Sequence, residues 1–217
     1  MATTQAIGTE KDDQHWFIVS RWHEYAGEER TNLLRIVGIG AFYLVELVNY
    51  YGLNLGFIEM PRLRNRPFHL AVTAVAVAWV MVALGVHLCL RRRVFPAALK
   101  FLTTGCDLLL LTALLCVADG PRSPAVAVYF LILALATLRL SPALVRFATL
   151  GAMASYLVVL GYAKWFTSRS IRVPRYHELM FLIALGLTGF TLGQAVRLVR
   201  KVAQDYAARL SREARRV

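Results

Sequence analysis

A chain of 217 residues that is 58% hydrophobic and only 18% charged is too apolar for a soluble domain, which carries about 25% charged residues. With a mean hydropathy of +0.52, it reads as an integral membrane protein rather than as a soluble protein with a buried helical core. The formal net charge of +12 reads as membrane anchoring, and its arginines abut the apolar stretches, which argues against a nucleic-acid role.

Residues 1–30 read as a cytoplasmic N-terminal segment. Glu10, Asp12, Asp13, Glu24, Glu28 and Glu29 fit neither a signal peptide nor a transit peptide. Ile18, Trp22 and Tyr25 fall at i, i+4 and i+7, beside Trp16, Phe17 and Arg21, the pattern of a short helix lying on a membrane surface. A partly ordered polar tail is the alternative.

Residues 31–199 read as a six-span domain. The spans are Asn32–Leu53, Phe68–Leu90, Ala97–Val117, Pro124–Leu140, Ala143–Tyr162 and Leu179–Leu198. Each is near the roughly 20 apolar residues that a helix needs to cross a hydrocarbon core of about 30 Å. Pro61–Pro67, Leu90–Pro96, Asp119–Ser123, Ser141-Pro142 and Lys164–His177 connect them. Such short connections make successive spans antiparallel neighbours in one all-α, six-helix membrane bundle. No internal repeat suggests duplicated transporter halves.

Of the 25 Lys and Arg residues, 17 fall on the side that holds both termini and eight on the other. The positive-inside rule therefore puts both termini in the cytoplasm. Cys89, Cys106 and Cys116 lie within spans without a CxxC partner and read as packing residues. Gly186, Gly189 and Gly193 on span six, and Gly151, Ala152 and Ser155 on span five, are small residues suited to close helix contact. That contact is intramolecular or, alternatively, a dimer interface.

Residues 200–217 read as a basic cytoplasmic helix extending span six. Leu192, Val196, Val199, Ala203, Tyr206 and Leu210 are spaced alternately by four and three, a heptad seam that leaves the bilayer without a Gly or Pro break. This output helix either pairs in a homodimer or lies on membrane lipids.

Asp107, mid-span, and Glu46, beside Asn49 and Tyr50, are the candidate ligand-binding carboxylates, because an acidic group in hydrocarbon is costly and demands a partner. His87, Gln194, Thr103, Thr104 and Tyr129 are the expected partners of these carboxylates. Asp107 is either a hydrogen-bonded register pin, a ligand or proton sensor, or part of a transport pathway. His69, His177 and Glu178 gather with Asp119 near the outer face as weak metal candidates at no diagnostic spacing. No phosphate-binding, dinucleotide, zinc-protease or nucleophile-elbow motif is present, so the chain is expected not to be an enzyme. No cofactor is specified.

Asp107, the Leu-rich helix after it, the run Asp119-Gly120-Pro121-Arg122-Ser123-Pro124 and Tyr129-Phe130-Leu131 resemble the six-span anchors of bacterial class III adenylate cyclases and of some sensor histidine kinases. The resemblance covers roughly residues 30–210 and lacks any catalytic domain. In redox-responsive kinases of that group a Gly-x-x-Asn-Pro-Phe turn is associated with quinone. Gly120 and Pro124 match it, whereas Ser123 replaces the Asn and Ala125 the Phe.

The resemblance implies a sensor or regulatory module of a bacterial plasma (inner) membrane, relaying a stimulus through span six to a separate cytoplasmic cyclase or kinase. Glu46, Asp107, Asp119, Gly120, Ser123 and Pro124 would contact the ligand. A non-catalytic assembly subunit of a larger membrane complex is the alternative reading, and a small transporter the third.

Overall fold

The computed structural model describes residues 2–54, 59–60, 66–92, 96, 98–166 and 173–214, with side chains from 27 to 52 and from 66 onward in those segments except 207, 208 and 210–214. The described residues are mainly helical, with a two-residue antiparallel ladder, β1 (Leu53–Asn54) with β2 (Glu59–Met60), in which Leu53 faces Met60. Six α-helices follow one another: α1 (Ala2–Tyr51), α2 (Arg66–Arg91), α3 (Leu99–Val117), α4 (Val128–Leu138), α5 (Pro142–Trp165) and α6 (Arg175–Ala214).

Helix α1 is one continuous rod of 50 residues, about 75 Å long at 1.5 Å per residue. No proline precedes Pro61, so nothing interrupts the helix between the N-terminal segment and the first apolar stretch. The side chains of Ile18, Trp22 and Tyr25 lie outside the described residues. Helix α6 likewise runs unbroken for 40 residues, with no Gly or Pro after Gly193.

Among the described residues, five helices are long and apolar enough to cross a membrane: Gly27–Tyr51, Arg66–Arg91, Leu99–Val117, Pro142–Trp165 and Arg175–Tyr206. The expected fourth span is shorter than the sequence reading had it. Its α-helical part has 11 residues, rising only about 16 Å, and Pro124–Ala127 in front of it forms a 3₁₀ turn. Two prolines and a glycine explain the difference. Gly120 turns the chain at φ 57°, a conformation that needs no Cβ. Pro121 and Pro124 sit at the starts of successive 3₁₀ turns. The loop residues 61–65, 93–95, 97 and 167–172 lie outside the description.

Helix α4 is sandwiched. Helix α1 packs on α2 and α4, while α6 packs on α4 and α5, and α3 bridges α2 to α5. Leu111, Leu115, Tyr129, Leu133, Leu144 and Leu185 are fully buried at the centre. Outward faces are apolar instead: Leu33, Val37, Leu44, Leu109, Leu150 and Leu187 are each exposed.

The small-residue stripe of α6 is spent inside this bundle. A Cβ at Gly189 would overlap the Thr149 side chain, and Gly186 and Gly193 face Met153 and Val145 of α5. The heptad seam divides at the same level. Leu192 is half-buried against the core and Val196 is 3% exposed, whereas Val199, Ala203 and Tyr206 are exposed and the Leu210 side chain is outside the description.

Overpacking a tight helix contact costs about 1–3 kcal/mol, so Gly189→Val should lower the thermal midpoint in detergent. Gly189→Ala should do so less, and adding Thr149→Gly to Gly189→Ala should restore part of the loss. Full stability of Gly189→Val would place the α5–α6 seam elsewhere.

Candidate functional site

Helix α1 is amphipathic in the reverse sense of a helix in water. Glu28, Thr31, Asn32 and Arg35 recur at i, i+3, i+4 and i+7, the spacing of a single helix face, and all four are buried. Between them Leu33, Leu34, Ile36 and Val37 are exposed.

The buried face carries two ion pairs. Arg35 grips Asp107 of α3 through Nε to Oδ1 and Oδ2, at 2.9 and 3.1 Å, and through Nη2 to Oδ2 at 2.8 Å. Trp79 of α2 donates Nε1–H to Asp107 Oδ1 at 2.7 Å. Arg35 Nη1 donates to Asn32 Oδ1 at 2.9 Å, and Asn32 Nδ2 in turn donates to the Ala83 carbonyl of α2 at 3.1 Å. Two helical turns away, Arg139 donates to Glu28 Oε1 at 2.6 Å. It also donates to Thr103 Oγ1, Thr104 Oγ1 and the Lys100 carbonyl at 3.1, 2.8 and 2.9 Å. Close approach makes this second pair possible, since a Cβ at Gly27 would lie 3.0 Å from the Leu138 carbonyl oxygen. Glu28 Oε2 and Arg139 Nε are buried without a hydrogen-bond partner among the described residues.

The partners expected for Asp107 are therefore replaced by others. Thr103 and Thr104 serve Arg139, and Tyr129 shares a 3.4 Å contact with Thr112. In sequence Arg35 and Arg139 are indistinguishable from inner-face topology charges, and Glu28 from the other acids of the N-terminal segment. The signal was present as a polar face at helical spacing, running into the apolar stretch.

Beside the Arg35–Asp107 pair, α1, α2, α3 and α4 border a half-open cavity of about 670 Å³, with Leu34, Phe42 and Leu131 of its lining exposed; the volume is within the range of small-molecule sites. Of the six candidate ligand residues, Glu46, Asp107, Asp119, Ser123 and Pro124 line it. Gly120 does not; it is buried in the turn beside α5. The walls between the polar ends are apolar, among them Gly38, Val72, Leu111, Leu131 and Ile132. At the far end Glu46 Oε1 lies 3.6 Å from His69 Nδ1, too long for a hydrogen bond, and Tyr50 stacks on the His69 ring at 4.0 Å. His177 instead pairs with the Tyr176 ring at 4.3 Å. Among the described residues no three His, Cys, Asp or Glu side chains gather as a metal site.

No protein-family model, no curated protein and no solved structure matches this chain.

Removing one partner of a buried ion pair costs about 3–5 kcal/mol, whereas replacing both by apolar groups is often neutral. Arg35→Met and Asp107→Leu should therefore each destabilise the bundle in a denaturant titration, and the double variant should recover much of the loss. If the single variants prove as stable as the double variant, the pair has no structural weight.

Proposed function

We propose that this protein is a sensor or regulatory module of a bacterial plasma membrane, in which occupancy of the α1–α4 cavity biases the position of α6. The observation that carries this reading is the cavity itself, a half-open apolar pocket with polar groups at both ends, in a bundle that buries four charged side chains in ion pairs and exposes much of its hydrocarbon. Hydrocarbon solvent favours that inversion, because lipid offers buried polar groups no alternative partner. Arg35 and Arg139 are neutralised in ion pairs, yet the remaining Lys and Arg still favour the side of both termini, which supports a cytoplasmic location for each.

Helix α4 is the route from cavity to output. Leu131, Ile132 and Leu135 form one wall of the cavity. On its other side Phe130 meets Phe181 of α6 at 5.3 Å, and Tyr129 meets Tyr156 of α5 at 6.4 Å. Tyr156 in turn contacts Phe181 at 4.5 Å. A ligand that prefers one arrangement of this wall shifts the population of α6 positions by its differential affinity alone. The exposed Val199, Ala203 and Tyr206 then face a homodimer mate or a separate cytoplasmic partner, a cyclase or kinase by resemblance.

Spin labels at Arg146→Cys and Tyr206→Cys, with Cys89, Cys106 and Cys116 replaced by Ser, report the α5–α6 distance in nanodiscs. A lipid extract of the native membrane should change that distance distribution. Gly38→Phe, which projects a ring into the cavity from a position with space for a Cβ, should hold one distribution regardless of extract. If neither the extract nor Gly38→Phe moves α6, the sensor reading fails and an assembly subunit becomes the better account.

A further inference from the structure

The chemistry of the cavity also specifies a ligand class, an inference that rests on the sensor reading. Three carboxylates and one guanidinium line it: Glu46, Asp107, Asp119 and Arg35. Asp107 and Arg35 consume each other through the hydrogen bonds already described. Of the charged groups that line the cavity, this leaves two carboxylates, Glu46 and the exposed Asp119. Glu46 is largely enclosed, with its side chain 13% exposed, and accepts no hydrogen bond from the described residues; its nearest basic atom is His69 Nδ1 at 3.6 Å. Phe42, Tyr43 and Phe68 line the Glu46 end.

Carboxylates among aromatic faces are the chemistry that recognises an organic ammonium, since the ring quadrupole attracts a cation that has shed its water. The rest of the cavity accepts an apolar chain. We infer that the cavity binds an amphiphilic organic cation, with the ammonium between Glu46 and Asp119 and the hydrocarbon tail running down between α1 and α4 toward Trp79. An anionic amphiphile would meet two carboxylates. A phospholipid would bring its phosphate beside its ammonium, against the same two groups. The occupant is therefore a free alkylammonium compound rather than a bilayer lipid.

The test uses the full chain in phosphatidylcholine nanodiscs. Trp79 emission, isolated as the difference between wild type and Trp79→Phe, is quenched by bromine at the tail of a dodecyltrimethylammonium probe. Unbrominated dodecyltrimethylammonium, dodecylphosphocholine and dodecyl sulfate compete for the site. We expect saturable quenching, reversed by the alkylammonium at concentrations at least about tenfold below those required of the other two, a difference set by the head-group charge. Glu46→Gln and Asp119→Asn should each weaken probe binding by about tenfold, with unchanged thermal midpoints in the absence of probe, and Gly38→Phe should abolish it.

Equal competition by all three amphiphiles, or insensitivity to both carboxylate variants, overturns the cation assignment. Unsaturable quenching overturns the site. The spin-label pair separates this proposal from the sensor reading. Movement of α6 with native extract but not with the alkylammonium leaves the sensor and removes the cation. Saturable alkylammonium binding without movement of α6 leaves the cation and removes the sensor.

Discussion

Two arginines and two carboxylates lie together inside a bundle whose outside is hydrocarbon, and their mutual neutralisation sets the positions of the helices around them. A charge stranded in a low-dielectric interior costs several kcal/mol even after relaxation. Arg35 must therefore reach Asp107, and Arg139 must reach Glu28, in any arrangement that persists. Because Glu28, Thr31, Asn32 and Arg35 share one face of α1, a one-residue slip would rotate that face by about 100° and strand both α1 charges at once. The bonds to Ala83, Trp79, Thr103 and Thr104 add α2 and α3 to the same constraint. Register in this bundle is fixed by polar geometry, and the apolar side chains fill the space that geometry leaves.

That geometry also accounts for the cavity. Helix α1 packs directly on α2 and α4, and the long arginine side chain spans from it to α3. An arginine holding a carboxylate in a two-pronged grip is a strut of fixed length, since the guanidinium is planar and its donors diverge at set angles. On the cavity side of the strut the facing residues include Gly38, Ala76 and Val72, which are too small to fill the gap. The same interaction that binds the helices together keeps the cavity open.

Much of the architecture was legible in the sequence, and for one reason: long apolar runs bounded by proline and arginine have few alternatives to spanning helices. The bounds of α2, α3 and α5 follow from it closely. The short α4 escaped because composition counts Pro124–Leu140 as one apolar run, whereas proline and backbone geometry divide it into a 3₁₀ turn and a helix of three turns. Asp119, Ser123 and Pro124 were singled out from the turn before α4, and Glu46 and Asp107 from the cost of burying an acid; all five line one cavity. Their convergence depends on α1 lying opposite the α3–α4 turn, which no local pattern reveals. The counterions were harder still. Arg35 and Arg139 look identical in sequence to the arginines that flank a span at the lipid head groups, and only the partner across the bundle distinguishes them.

Helix α4 owes its place in the proposed mechanism to its unequal ends. At its C-terminus Arg139 is held by four hydrogen bonds to α1 and α3, a fastening that cannot slide without exposing a buried charge. At the other end the helix is preceded by a 3₁₀ turn capped by the Ser123 side chain, which accepts the Ala125 N–H at 3.3 Å; such turns have poorer hydrogen-bond geometry than an α-helix. A force applied by a ligand against Leu131 and Ile132 would therefore be taken up at the end held mainly by packing, where Val126, Val128 and Tyr129 are buried, rather than at the end bonded through Arg139. Phe130, near that end, is in contact with Phe181, so a displacement there would reach α6 near its N-terminus. A rigid helix of 40 residues would carry that tilt to Tyr206 and beyond. The ion pair that makes the fold possible is, on this reading, also the pivot that gives the movement a direction.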